Sequence, residues 1–231
     1  MVLAKAAYLF DIDGTLLHAR GIGRQAFEIA LQKVIGKPYS LQNEDFSGRT
    51  DRDILYGILE KEGIEKEEIE NLLPSLYDVY IKVFEELVSE NKDKLLVFPK
   101  VRELLDALRG ECVGLLTGNL KESAYIKLKA AGLDGYFPYN VGAFGDISRN
   151  RVKLFKVALD SLKKYYGVDG FEKVWIIGDS HKDILCAKAN NAISFAVATG
   201  KESKEELAKY NPDYLFCDFN EIDSIIKILS S

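Results

Sequence analysis

The stretch Leu9-Phe10-Asp11-Ile12-Asp13-Gly14-Thr15-Leu16 decides how this chain is read. An apolar run from Ala6 to Phe10 ends in two carboxylates one residue apart, and Gly14 then turns the chain. A short apolar run stopped by a glycine turn predicts a buried strand that delivers its last residues to the carboxyl edge of a sheet. In open α/β sheets, ligands bind at that edge. Asp11 and Asp13 placed there repel each other unless a cation lies between them or one of them carries a proton.

Two further runs have the same form. Trp175-Ile176-Ile177-Gly178-Asp179-Ser180-His181-Lys182-Asp183 is an apolar strand, a glycine, a carboxylate and a second carboxylate four residues on. Val113-Gly114-Leu115-Leu116-Thr117-Gly118-Asn119 is an apolar strand that ends in a hydroxyl and a glycine. Asp11, Asp13, Asp179 and Asp183, with a hydroxyl and helix N-termini beside them, make an oxygen-rich donor set. That set suits a hard divalent cation, Mg²⁺ above all, together with phosphate.

These runs resemble motifs of the haloacid dehalogenase-like hydrolases. Asp-Ile-Asp-Gly-Thr-Leu is similar to their first motif, Leu-Leu-Thr-Gly-Asn to their second and Gly-Asp-Ser-His-Lys-Asp to their fourth. The order and spacing agree, and the resemblance covers the whole chain, with the phosphoglycolate phosphatase-like branch nearest. The third motif departs from the pattern. Members of that branch usually carry Lys-Pro where this chain has Arg149-Asn150-Arg151-Val152-Lys153.

The chain has 231 residues, 47% hydrophobic and 29% charged, with a net charge of −5 and its acids and bases interleaved. That is ordinary for a soluble globular enzyme and argues against a nucleic-acid surface. Cys112, Cys186 and Cys217 are scattered and lack zinc-site spacing. Cys112 and Cys217 fall in strand-like runs and Cys186 in a helix, which predicts buried reduced thiols and a cytosolic location. The N-terminal run reads as a core strand rather than a signal peptide. No apolar run is long enough to span a membrane. The expected partner is a small phosphorylated metabolite, and the expected state a monomer or a weak homodimer.

After a first strand near Lys5 to Asp11, apolar residues recur at helical spacing through Arg24–Ile35, Asp51–Lys61 and Ile69–Leu87. An insert of this length exceeds any ordinary connection. It reads as an all-helical cap domain over 16–94, set into an α/β core made of 1–15 and 95–231. From Pro99 the pattern alternates. Helices are expected over 99–109, 120–131, 152–166, 183–190, 201–210 and 221–229. Strands are expected over 113–116, 139–143, 174–177, 193–197 and 214–217. Such alternation implies a doubly wound parallel sheet with helices on both faces.

Each candidate residue has a chemical role. Asp11 is the expected nucleophile, forming an aspartyl-phosphate that splits a hard hydrolysis into two easier steps. Asp13 is the expected general acid and then base, a role that requires neighbours that raise its pKa relative to that of Asp11. Thr117, with the backbone N–H groups of Gly118 and Asn119, would hold a phosphoryl oxygen at a helix start, where Thr117 or Asn119 is the N-cap. Asp179 would bind the metal directly, and Asp183, one turn later, through water or by steering a neighbour. Arg151 is the favoured phosphoryl-binding cation, with Lys153 second and Arg149 a rival. In the insert, Arg49 and Arg52 of the Phe46–Arg52 loop suit a second anionic group on the substrate. His18 and Arg20, just past the first motif, also face the expected substrate. His181 reads as a loop residue.

The function expected from the resemblance is a Mg²⁺-dependent phosphatase acting on small phosphate monoesters. A phosphosugar mutase, a haloacid dehalogenase and a phospho-aspartate signalling module share parts of this residue set.

Overall fold

A computed structural model of the chain describes residues 2–231. Residue 1 of the expected core segment lies outside the described residues. At the centre is a six-stranded sheet. Its middle strand, β1 (Leu3–Phe10), is flanked on one side by β4 (Cys112–Leu116) and β5 (Gly142–Ala143). On the other side lie β6 (Gly170–Gly178), β7 (Ile193–Val197) and β8 (Tyr214–Phe216). Every pairing is parallel. Side chains alternate across the pleat. Ala7 and Leu9 of β1 face a cluster with Leu116, Leu154, Phe155, Leu162 and Ile176. Tyr8 and Phe10 face the opposite cluster, with Leu115, Trp175 and Ile177. The sheet is thus buried on both faces, as a parallel sheet must be.

Register decides where the chemistry falls. Phe10 pairs with Leu115 on one side and with Ile177 on the other. The residues just beyond these pairs, Asp11, Thr117 and Asp179, therefore leave the same edge side by side. Among the described residues, six helices pack around the sheet: α4 (Val101–Ala107), α5 (Lys121–Ala130), α6 (Arg151–Tyr166), α7 (His181–Ala189), α8 (Lys204–Ala208) and α9 (Ile222–Leu229).

Between the first and second strands of the sheet come three helices, α1 (Ile22–Ile35), α2 (Asp51–Lys61) and α3 (Lys66–Glu90). They form the helical cap. Phe27 of α1 stacks on Tyr80 of α3 with centroids 4.1 Å apart, and Tyr80 stacks on Phe84 at 5.6 Å. These aromatics belong to the same continuous apolar cluster as Phe10 and Trp175. The chain's two passes between core and cap run together. β2 (Leu17–His18) pairs antiparallel with β3 (Leu96–Val97), Leu17 opposite Val97 and His18 opposite Leu96.

Several expected boundaries shift for local reasons. The strand expected over 139–143 shrinks to Gly142–Ala143, because Pro138 has no N–H to give and Asn140 is left-handed at φ 65°. The helix expected from Pro99 begins at Val101, after Lys100 at φ 66°. The helix expected over 201–210 begins at Lys204, where the Ser203 side chain accepts the Glu206 N–H and Glu206 returns the bond. Cys217 is exposed and Cys112 only half-buried, so of the expected buried thiols only Cys186 is fully enclosed.

Candidate active site

A cavity of about 650 Å³ lies between the sheet edge and the cap helices. Asp11, Asp13, His18, Arg20, Arg49, Gly118, Asn119, Arg151 and Asp179 all line it. Asp11 extends from β1 with its Oδ1 accepting the Ile12 N–H at 2.8 Å and its Oδ2 at 3.1 Å from the Arg151 guanidinium. The Thr117 hydroxyl also hydrogen-bonds to it. Burial pushes the Asp11 carboxyl up, Arg151 pulls it down and Asp183 pushes it up again, to a net value of about 6.

Asp179 stands beside it at the end of β6. Its Oδ1 accepts the Thr15 hydroxyl at 3.0 Å. Burial, then the charges of Asp11 and Asp183, push its carboxyl well above the ordinary range. The close approach depends on Gly14, which is left-handed at φ 81° and whose missing Cβ would lie 2.2 Å from an Asp179 oxygen. Asp11, Asp179 and Asp183 each place a carboxylate oxygen within 4.8 Å of the others. The Asp13 carboxylate, expected in the same metal set, lies outside this cluster. It is held instead by the Lys127 ammonium at 2.5 Å and the Asn119 amide at 2.8 Å, a cation and a donor, and not by the charge-disfavouring neighbours expected from the sequence.

Asp183 has a steering geometry. Its Oδ2 accepts the Ser180 hydroxyl at 2.6 Å and the Ser180 N–H at 3.1 Å, closing a capping box at the start of α7. Its Oδ1 accepts from Arg151 at 2.5 Å. The same guanidinium nitrogen donates to the Leu116 carbonyl at 2.9 Å. Burial opposes the Arg151 charge, but Asp11 and Asp183 hold its pKa above the usual arginine range. The Arg151 Nε is buried without a protein partner among the described residues.

Lys153 does not share this place. It is exposed on the outer face of α6, whose buried stripe runs Arg151, Leu154, Phe155, Ala158, Leu162. Arg149 bonds with Asp53 and Glu60 and lies over the Tyr56 ring. In the cap, Arg49 lines the cavity while paired with Asp53 at 2.6 Å. Arg52 turns away from the cavity to Glu70 at 2.5 Å, so the expectation that it grips substrate is corrected. His18 and Arg20 are exposed at the cavity wall, Arg20 in a left-handed turn at φ 41°. His181 begins α7, its Nδ1 2.8 Å from Glu202 and its ring stacked on Tyr210.

Helix α5 is capped neither by Asn119, one residue too early, nor by Thr117, three residues too early. Its N-cap is Leu120, which has no side chain for the task. The cap domain supplies it: Asp51, at the start of α2, accepts the Leu120 N–H on Oδ2 at 2.7 Å and donates its own N–H to the Gly118 carbonyl at 2.7 Å. Gly118 permits this contact, because a Cβ there would lie 2.0 Å from the Arg49 carbonyl oxygen. Thr117 Oγ1 accepts from the Asn119 amide at 2.8 Å, tying the loop together.

Asp51 and Lys127 were not expected from the sequence. Asp51 is buried, and burial raises its carboxyl to about 7 against the pull of Lys127 and the Leu120 N–H. Lys127 is buried on α5. A signal existed for the lysine: it falls on the helical stripe Leu120, Ala124, Lys127, Leu128, where every other member is apolar.

Comparison with known proteins agrees with this geometry. The pyrophosphatase PpaX of Bacillus pumilus is 26% identical over 222 residues, covering 94% of each chain. A phosphoglycolate phosphatase of Vibrio parahaemolyticus is 26% identical and covers 95% of each chain. A crystal structure of a hydrolase from Pseudomonas syringae shares the fold with a TM-score of 0.68 at 22% identity, covering 96% of this chain and 99% of that one. A family model of the haloacid dehalogenase-like hydrolases matches residues 8–197. With that match over most of its length, and with Asp11, Thr117, Arg151 and Asp179 gathered at one sheet edge, the chain belongs to the haloacid dehalogenase-like hydrolases.

Proposed function

We propose that the protein is a Mg²⁺-dependent phosphatase that hydrolyses small phosphate monoesters through an aspartyl-phosphate on Asp11. The observation that carries this reading is the pairing of the Asp11 carboxylate with a buried arginine, 3.1 Å away, at the floor of the cavity. A phosphoryl group entering there meets a nucleophilic oxygen and a guanidinium that matches phosphate geometry. Arg151 thus takes the place of the lysine usual in the related branch, with Asp183 and the Leu116 carbonyl fixing its plane.

The carboxylates fit the cation. Asp11, Asp179 and Asp183 offer only oxygen donors within reach of one another, and Asp11 and Asp179 resist ionisation even with Arg151 nearby. Asp11 and Asp179 would hold Mg²⁺, with Asp183 steering Arg151 and reaching the ion through water. The ion would neutralise phosphoryl charge and relieve the repulsion between the carboxylates. Asp13 faces the same cavity from the neighbouring turn and is read as the group that protonates the leaving oxygen. Thr117 and the Gly118–Asn119 loop would hold phosphoryl oxygens.

Arg49, His18 and Arg20 line the part of the cavity open to the leaving group. Cationic and polar walls there favour an ester whose other end is polar or anionic. The cap division at residues 16–94 is part of this proposal, as is action on a soluble metabolite. Among the described residues, no helix is long and apolar enough to cross a membrane.

The test is a panel of phosphorylated metabolites assayed with Mg²⁺ on the wild type and on Asp11→Asn. Turnover of at least one ester by the wild type, with none by the variant, is expected. Retention of more than a few per cent of activity by the variant overturns the nucleophile assignment. Return of the phosphoryl group to a sugar instead of to water would make the protein a mutase.

A further inference from the structure

Lys127 is the one fully buried lysine among the described residues. An ammonium on the apolar stripe of a helix is costly to bury unless its partners are good. Its partners here are specific. It donates to Asp13 Oδ2 at 2.5 Å and to the side-chain oxygen of Asn119, and it lies over the Phe84 ring at 5.4 Å. Asn119 in turn donates from its amide nitrogen to the same Asp13 Oδ2 at 2.8 Å. Both donors converge on one oxygen. Among the described residues no donor reaches the other oxygen, Oδ1, and Asp13 lines the cavity.

We infer that Lys127 is a positioning residue for the proton transfer: with Asn119, it pins Asp13 Oδ2 and leaves Oδ1 to meet the leaving oxygen of a bound phosphate ester. The inference rests on the reading of Asp13 as proton donor. As the bond from phosphorus to the ester oxygen breaks, the proton on Oδ1 passes to that oxygen and Asp13 is left as a carboxylate. The Lys127 ammonium, already on Oδ2, stabilises that carboxylate without having to move. When water then attacks the phosphorus of the Asp11 phosphate, one of its protons passes to Oδ1, and the carboxyl returns to its starting form. A generic ion pair does not need two donors on the same oxygen. This arrangement leaves only one carboxyl oxygen free and holds it in a fixed direction.

The experiment uses the Mg²⁺-loaded protein and two esters, 4-nitrophenyl phosphate and phenyl phosphate. The first leaves readily without a proton and the second does not. kcat/KM reports transfer of the phosphoryl group to the enzyme. Lys127→Met should lower kcat/KM for phenyl phosphate about tenfold or more beyond any loss on 4-nitrophenyl phosphate. Asp13→Asn should show the same selective loss, and the double variant should be no more selective than Asp13→Asn alone. Lys127→Gln, which keeps a donor but loses the charge, covers the case in which Lys127→Met fails to fold, and should show a smaller selective loss. Equal loss on both esters, or no loss, in the Lys127 variants overturns the proposal. If Asp13→Asn is selective and the Lys127 variants are not, only the Lys127 role falls. If Asp13→Asn is not selective, the proton-donor reading falls, and the Lys127 role falls with it.

Discussion

Replacing Asp51 by Asn should stabilise the protein by an amount that grows as the pH rises from about 4 to about 7 and is constant above that. Asp51 is 7% exposed, and burial raises its carboxyl from the usual carboxylate value of 3.8 to about 7. In the unfolded chain the group loses its proton near the ordinary value. Between about pH 4 and pH 7 the folded protein therefore holds a proton that the unfolded chain has released, and stability falls as pH rises through that window. The shift spans about three pH units, at about 1.4 kcal/mol each, so ionising Asp51 costs up to about 4 kcal/mol once the pH exceeds 7. Asparagine cannot ionise. Its amide oxygen still accepts the Leu120 N–H, while the oxygen it loses has no protein donor among the described residues. The variant should match the wild type at about pH 3.5, below the unfolded value, and exceed it at pH 8. For a chain of this size, about 4 kcal/mol corresponds to roughly 8–16 °C in Tm. Thermal unfolding followed by circular dichroism in saturating Mg²⁺, at both pH values, makes the measurement. A gap that is the same at both pH values, or a wild type more stable at pH 8, would refute the argument. Asp11 and Asp179 add their own pH dependence, but they are common to both proteins and cancel in the difference.

Other outcomes follow from the site. Chelation with EDTA should abolish turnover and Mg²⁺ restore it, while Ca²⁺ should bind without supporting comparable activity because its coordination shell is larger and looser. Mg²⁺ at about a hundred times its Kd should also stabilise the fold by about 2.7 kcal/mol, readable as a Tm rise that Asp179→Asn removes. Arg151→Ala should lower kcat by orders of magnitude, whereas Lys153→Ala should leave it nearly unchanged, and the reverse order would make Lys153 the phosphoryl-binding cation. Arg49→Ala should damage the best metabolite about ten- to a hundredfold more than 4-nitrophenyl phosphate, a charge-assisted contact being worth roughly 1.5–3 kcal/mol. Arg52→Ala, which loses contacts to Glu70, the Asp146 carbonyl and the Tyr56 ring but none to the cavity, should affect both substrates equally or neither.

The sheet edge was legible because each strand announces its end. An apolar run followed by Asp11, Thr117 or Gly178-Asp179 places the residue by register alone, and the parallel pairing of β1 with β4 and β6 does the rest. The cap helices were legible from their period, α2 to the residue. Arg151 and Lys153 were harder, since both lie in one charged run. The buried stripe of α6 separates them, and that stripe was present in the sequence. β5 was overread because Tyr139 and Val141 look like strand residues, whereas Pro138 and Asn140 bend the backbone. Asp51 is an acidic first-turn residue after the Thr50 cap, and its local sequence does not set it apart from an ordinary one. Its burial arises from a loop 67 residues away, at Gly118, and no local pattern carries such a contact. For the same reason the proton-donor assignment of Asp13 could be written from the motif, but its partner Lys127 could not.

The short ribbon of β2 and β3 has a consequence for how such a protein can be rebuilt. The chain departs for the cap after His18 and returns at Leu96, and these two residues are already opposite each other in an antiparallel pair. Two residues of the Asn-Gly type are enough to close such a pair into a hairpin. The insert therefore has a single point of chain entry and exit, although Asp51 and Asp53 also bond it to the core. It can be exchanged for another of different shape with no change in the path of the six-stranded sheet, provided the replacement again covers the apolar surface around Phe98 and Leu16. Such a replacement would also have to supply an acceptor for the Leu120 N–H, the place Asp51 fills now, so the sheet edge and the insert can be varied independently everywhere except at that contact.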